Sequence, residues 1–138
     1  MVNLAFYICM NKQIVITASF FGMLAVITGA FGAHGLKSTL TAAQLEVWHT
    51  AVQYNFYHVF ALLFLAAFAG KNDGGLISAA HYLFTFGIIL FSGSLYLLSC
   101  RDLLGWSWLH IMGPITPVGG LLFILGWLML ALAAIRTK

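Results

Sequence analysis

Four long apolar stretches occupy most of this chain and decide what it can fold into. They cover residues 14–33, 51–69, 76–99 and 118–135. Each has about 18 to 24 residues, and a helix needs about 20 apolar residues to cross a bilayer. Among Asp, Glu, Lys, Arg and His, only His58 and His81 occur inside them. With 62% hydrophobic and 7% charged residues, a soluble fold of 138 residues could not bury this much apolar surface.

These features predict an all-α polytopic membrane protein, a four-transmembrane-helix bundle with a single domain over residues 1–138. We expect residues 1–9 to be a dispensable N-terminal extension. We expect the first span to be retained, because its apolar run is longer than that of a signal peptide. The sequence has no phosphate-binding loop, no Ser/His/Asp order and no Cys nucleophile with a base. We therefore expect a protein that is not an enzyme.

Positive charges at the ends of the spans predict the orientation. Four spans place both termini on one side of the membrane, and that side carries four of the six Lys and Arg residues: Lys12, Lys71, Arg136 and Lys138. The other side carries Lys37 and Arg101. Because positive charge in short loops marks the cytoplasmic face, we expect both termini in the cytoplasm and a multi-pass protein of the cell (inner) membrane. The net charge of +3 is then an orientation signal, and we expect no nucleic acid partner.

Small residues recur at helical spacing in three of the spans. Lipid-embedded helices associate through such residues, which let two backbones approach closely. In the first span they have a period of about 3.5 residues, which is typical of left-handed packing. The predicted packing positions are Gly22, Gly29 and Gly32 in the first span, Gly87 in the third, and Gly119 and Gly126 in the fourth. The pattern predicts a compact bundle.

Local signals place two helix starts. Thr41-Ala-Ala-Gln44 has the spacing of a capping box, so we expect the second helix to begin there, well before its apolar run. Its first turns would lie outside the hydrocarbon, with Trp48 in the headgroup region, whereas Leu62 would face lipid. Pro114 and Pro117 suit the start of the fourth helix.

Polar side chains inside a membrane are costly and mark candidate sites. The third span carries a polar stripe of His81, Thr85, Ser92, Tyr96 and Ser99. The stripe is either a proton or solute path or a set of interhelical hydrogen bonds that fix the bundle. His58 and His81 differ by about 10 Å in predicted depth, so we expect no haem between them, and no other cofactor. No local spacing of His, Cys or acidic residues supports a metal site.

Four ordered motifs carry a resemblance to a known family. They are Gly29-Ala-Phe-Gly-Ala-His-Gly-Leu36, Thr50-Ala-Val-Gln-Tyr-Asn-Phe-Tyr-His58, Phe91-Ser-Gly-Ser-Leu-Tyr96 and Gly113-Pro-Ile-Thr-Pro-Val-Gly-Gly120. Over residues 10–136 the chain resembles the YgdD/YwdK family of small four-helix inner-membrane proteins of unknown function. The resemblance implies four spans and supplies no activity, cofactor or catalytic residue.

The motifs cluster at one end of the predicted helices, which is the outer end if the termini are cytoplasmic. The candidate polar site there comprises His34, Gln53, Asn55, His58, Ser94, Tyr96 and Thr116. We expect a non-enzymatic accessory or assembly subunit, or a small lipid- or quinone-binding bundle. The alternative is a transporter or channel for a small solute or ion that works as an oligomer. Besides the lipid bilayer, the expected partner is a second copy of the chain or a larger membrane complex.

Overall fold

The computed structural model describes residues 10–69, 74–105 and 112–136. Within these ranges, four helices are long and apolar enough to cross a membrane: α1 (Lys12–His34), α2 (Ala42–Ala69), α3 (Gly75–Ser99) and α4 (Ile115–Arg136). A π-helical segment, Ile88–Ser92, interrupts α3, and a short helical turn, Arg101–Leu104, follows it. The described ranges contain no strand. The predicted all-α, four-span fold is therefore confirmed, while the predicted N-terminal extension lies outside the described residues.

Local sequence explains where the helices begin. The Thr41 N–H donates to Gln44 Oε1 at 2.9 Å and the Gln44 N–H donates to Thr41 Oγ1 at 3.3 Å, which confirms the capping box. α4 begins at Ile115, directly after Pro114, and holds Pro117 in its first turn. A proline is tolerated there because first-turn amides have no acceptor inside the helix.

The helix pair α2/α3 forms the centre of the bundle, with α1 and α4 on opposite sides of it. α1 packs along α2, and α4 packs along α3. Side chains of α1 also reach α3, and side chains of α4 also reach α2. We call these sides the α1 face and the α4 face. The end of the bundle where α1 finishes and α2 starts is called the His34 end, and the opposite end the Lys12 end.

Small residues lie at the contacts on both faces. On the α1 face, a Cβ atom at Gly22 or Gly29 would touch Val59 or Val52 of α2 at 3.4 and 3.5 Å. On the α4 face, glycines of α3 and α4 each lie against a phenylalanine of the opposite helix. The three pairs are Gly87 with Phe123, Gly126 with Phe84, and Gly119 with Phe91. Each glycine gives the room that its partner ring or backbone fills.

The central place of α2 overturns one expectation. Leu62, expected to face lipid, is fully buried in a core cluster with Leu65 and Ala66. The lipid-facing side of α2 instead carries Phe60 and Phe64, which are both exposed on the bundle surface. The hydropathy of an all-apolar helix does not fix its rotation, because lipid tails and a protein core are equally apolar surroundings.

Candidate functional site

A hydrogen-bonded cluster on the α1 face joins three helices at the His34 end. Trp48 Nε1 donates to the Thr28 carbonyl oxygen at 2.9 Å. The Thr28 hydroxyl and the Tyr96 hydroxyl are hydrogen-bonded at 2.9 Å, and the Trp48 and Tyr96 rings lie 4.7 Å apart. A Cβ atom at Gly32 would come within 2.5 Å of Trp48 Nε1, so this glycine opens the slot that the indole occupies. The cluster therefore depends on one threonine and one glycine of α1.

Trp48 differs from the sequence-based expectation. Its side chain was expected in the headgroup region, but it is 6% exposed and packed between α1 and α3. Thr28 was not among the predicted site residues, because a lone threonine in an apolar span can also bond to its own helix. It does so here, donating to the Leu24 carbonyl at 2.9 Å.

Four residues of the predicted polar stripe on α3 are engaged in hydrogen bonds. His81 Nε2 lies 3.1 Å from the Thr17 hydroxyl of α1. The Thr85 and Ser99 hydroxyls donate to carbonyl oxygens of their own helix. The bonds of His81 and Tyr96 to α1 support the interpretation that the stripe fixes the bundle, whereas the Thr85 and Ser99 bonds stay within α3.

The seven candidate site residues do not converge on one point. His34 and Gln53 are exposed, and within the described residues neither bonds to Tyr96 or Ser94. The Ser94 and Thr116 hydroxyls are hydrogen-bonded to each other at 2.7 Å and tie α3 to α4. Tyr96 points instead to α1.

Asn55 lies deeper in the bundle. Its side chain is buried, as is that of Ser92 in the π-helical segment. Asn55 Oδ1 and Ser92 Oγ have no hydrogen-bond partner among the described residues.

His58 occupies the α4 face. Its Nδ1 donates to the Tyr54 carbonyl oxygen at 2.8 Å. Its ring lies flat on the Phe123 ring of α4, with a centroid separation of 3.4 Å and an angle of 6° between the planes. Since α2 and α4 do not pack along their lengths, this ring pair bridges the space between them.

A groove of about 590 Å³ opens between α2 and α4 on the lipid-facing surface. Its wall is formed by Tyr54 and His58 of α2, Phe91 of α3, and Pro117, Gly120, Leu121, Phe123, Ile124 and Trp127 of α4. A Cβ atom at Gly120 would meet no atom closer than 3.7 Å, so the groove has free space beside this glycine. Its volume lies within the roughly 300–1,000 Å³ that is usual for sites of small ligands.

Sequence analysis identified His58 as a candidate but missed its aromatic neighbours. Phe91, Phe123 and Trp127 belong to ordinary apolar runs, and aromatic side chains in such runs face lipid as often as a ligand. The signal that could have found them is the Gly119-Gly120 pair. Gly119 brings α4 against the α3 backbone, and Gly120 leaves the adjacent surface open.

The two intramembrane histidines lie on opposite faces of the α2/α3 pair. His58 contacts α4, whereas His81 contacts α1. In the ranges that the structure describes, no three His, Cys, Asp or Glu side chains are grouped so as to hold a metal ion.

Comparison with known proteins places the chain among membrane proteins without an assigned activity. Residues 28–120 match the model of a family described as protein of unknown function (DUF423). The UPF0382 membrane protein YwdK of Bacillus subtilis is 44% identical over 91% of this chain and 98% of its own length. A UPF0382 membrane protein of Staphylococcus saprophyticus is 42% identical over 91% of this chain and 98% of its own length. No solved structure gives a significant match.

Proposed function

The chain belongs to the DUF423 family of proteins of unknown function, and we propose its role from its own geometry. We propose that it binds a ring-headed membrane amphiphile of the quinone class in the groove of the α4 face. The observation that supports this most is the group of aromatic rings around one imidazole in a groove that is open to lipid. This makes the protein a non-enzymatic binding or accessory protein.

The groove favours a ring over an acyl chain. In a bilayer, apolar contact alone does not select a ligand, because every lipid tail offers the same contact. Selection must come from interactions that lipid tails lack. Offset or edge contacts between aromatic rings contribute about 0.5–1.5 kcal/mol each, and a hydrogen bond contributes a similar amount. A flat ring with polar oxygens can make both kinds of contact with the wall at Tyr54, Phe91 and His58.

The position of the groove suits a ligand that enters from the membrane. It extends from Pro117, in the first turn of α4, to Trp127, near the middle of that helix. With both termini in the cytoplasm, as the charge distribution predicts, this is the outer half of the bilayer. The ring head would then lie against His58, and the tail would remain in lipid.

Photo-crosslinking tests this role. The full chain in lipid nanodiscs is irradiated with an azido-substituted benzoquinone that carries a ten-carbon tail, and the labelled peptides are mapped by mass spectrometry. We expect labels around Tyr54 and over residues 117–127 that unlabelled quinone competes away. Uniform labelling of all lipid-facing surfaces, including α1, without competition would contradict the proposal.

A matched pair of variants localises the binding. Gly120→Leu places a side chain in the groove and should lower the competed labelling at least about tenfold, because it removes the space for the ring. Gly93→Leu is the control: an added Cβ at Gly93 would meet no atom within 4 Å, and Gly93 is not part of the groove wall. Its labelling should remain as in the native protein.

A further inference from the structure

The helix itself fixes the position of the proton on the His58 ring. Nδ1 lies 2.8 Å from the Tyr54 carbonyl oxygen, and a carbonyl can only accept a hydrogen bond, so Nδ1 carries the proton. The side chain is 5% exposed, and the described transmembrane helices contain no Asp or Glu except Glu46, which is exposed near the start of α2. A charged imidazolium without a counter-ion would be costly here. The ring is therefore neutral, and Nε2 is an acceptor.

The surroundings of His58 hold that arrangement in place. The Phe123 ring lies parallel to the imidazole at 3.4 Å, and Phe84 and Trp127 flank it at 5.6 and 6.3 Å. Turning the ring over would break the bond to Tyr54. Nε2 is the ring nitrogen farther from the α2 backbone. Among the described residues, no N–H or O–H group donates a hydrogen bond to it. His58 lines the groove, and because Nδ1 is bonded to the backbone, Nε2 is the ring nitrogen left to bond a ligand there.

We propose that this acceptor makes the groove selective for the reduced, hydroquinone form of its ligand; the inference rests on the proposed function. A hydroquinone hydroxyl can donate to Nε2. A quinone has only carbonyl oxygens, whose lone pairs would face the lone pair of Nε2. The Tyr54 hydroxyl, which can donate or accept, suits the second oxygen of either form and does not discriminate between them.

A site that bonds a ligand hydroxyl can reject an analogue that lacks it by up to about 10⁴-fold when fully enclosed. For one acceptor in a laterally open groove, we expect a preference of about 10- to 100-fold. The protein would therefore hold the reduced, hydroquinone form of the ligand within the bilayer. No electron transfer by the protein is involved: the two forms interconvert elsewhere, and the groove binds one of them more tightly.

A redox titration of the ligand on the full chain in nanodiscs tests the selectivity. The probe is a benzoquinone with a ten-carbon tail, titrated anaerobically with and without protein. Tighter binding of the reduced form raises the midpoint potential of the bound two-electron couple by about 30 mV for each tenfold preference. An unchanged or lowered potential of demonstrably bound ligand would overturn the selectivity but leave the proposed function standing. Absence of saturable binding of either form would overturn both.

Two variants separate the acceptor from the fold. His58→Phe keeps an aromatic ring on Phe123 and removes Nε2, so both forms should bind with similar affinity. His81→Phe removes the other intramembrane histidine, on the α1 face, and should keep the preference. If His58→Phe fails to fold, the dimethyl ether of the hydroquinone provides the same test on the native protein. The ether cannot donate, and its binding as tightly as the hydroquinone would contradict the proposal.

Discussion

The α1 face and the α4 face of the central helix pair are held together in different ways. On the α1 face, directional hydrogen bonds join the helices, as at Thr28 with Tyr96 and at Thr17 with His81. On the α4 face, rings fill spaces above glycines. Among the described residues, the hydrogen bond between side chains on this face is the one between the Ser94 and Thr116 hydroxyls. The first arrangement closes the contact, whereas the second leaves a groove beside it.

The difference shows how a bundle of apolar helices can form a site without a charged residue. Because α4 approaches α3 closely at Gly119, the contact between these two helices lies on one side of α4. The other side is separated from α2 by the thickness of the His58 and Phe123 rings. The groove is the consequence of that separation. In the proposed role, the His58 ring would provide a hydrogen-bond acceptor that lipid tails lack.

The largest effect should come from the closest contact on the α4 face. Gly119→Ala places a methyl group against the Phe91 backbone, which cannot move aside as a side chain can. We expect a loss of about 3 kcal/mol in the free energy of unfolding, at the upper end of overpacking effects. Gly120→Ala, one residue on, should change it by less than about 0.5 kcal/mol. Thermal unfolding in detergent measures both, and equal melting temperatures would show that α3 and α4 do not touch at Gly119.

A smaller loss is expected on the α1 face. Trp48→Phe removes the bond to the Thr28 carbonyl and leaves part of the slot above Gly32 empty. We expect it to cost about 1–2 kcal/mol. Trp127→Phe, at a side chain that is 49% exposed, is the control and should leave the melting temperature almost unchanged. A larger loss for Trp127→Phe than for Trp48→Phe would contradict the buried position of Trp48 and favour the headgroup position expected from the sequence.

The sequence predicts the number and ends of the helices well, because these depend on local properties. Apolar length defines the spans. The capping box at Thr41 marks the start of α2, and Pro114 with Pro117 marks the start of α4. The rotation of each helix depends instead on its neighbours. From sequence alone, Leu62 is therefore expected on the lipid side and Trp48 in the headgroup region, although both are buried.

Two further features carry no local signal. The π-helical segment Ile88–Ser92 has the same apolar composition as the α-helix around it. The groove depends on the distance between α2 and α4, which are not consecutive in the chain and meet only through side chains. The sequence identifies His58 as a candidate because a polar side chain is costly to place in a membrane. The stacking of its ring on Phe123 could not be predicted from the sequence.

The interhelical hydroxyl bond on the α1 face should have a modest effect. Tyr96→Phe removes one bond, and Thr28 keeps its bond to the Leu24 carbonyl. Interhelical hydrogen bonds in membranes average about 0.6 kcal/mol, and we expect a loss of that size. Tyr82→Phe on the exposed side of α3 serves as the matched control, with no expected change. A loss above about 2 kcal/mol would mean that Thr28 and Tyr96 belong to a larger cooperative network.

The smallest effect on stability is expected at the exposed candidates. His34→Ala and Gln53→Ala should alter the free energy of unfolding by less than about 0.5 kcal/mol, because water can satisfy both side chains. The hypothesis that they contact a partner stays a prediction. Co-purification from native membranes tests it: loss of a partner with an unchanged melting temperature would support a binding role, whereas unfolding of His34→Ala would make this residue structural.

The most direct test of the difference between the two faces is fluorine NMR of the full chain labelled with 5-fluorotryptophan in nanodiscs. The chain has four tryptophans, and Trp→Phe variants assign their signals. On addition of a short-tailed hydroquinone, we predict a saturable shift of the Trp127 signal in the groove and none of the Trp48 signal on the α1 face. A shift at Trp48 with Trp127 unchanged would contradict the account.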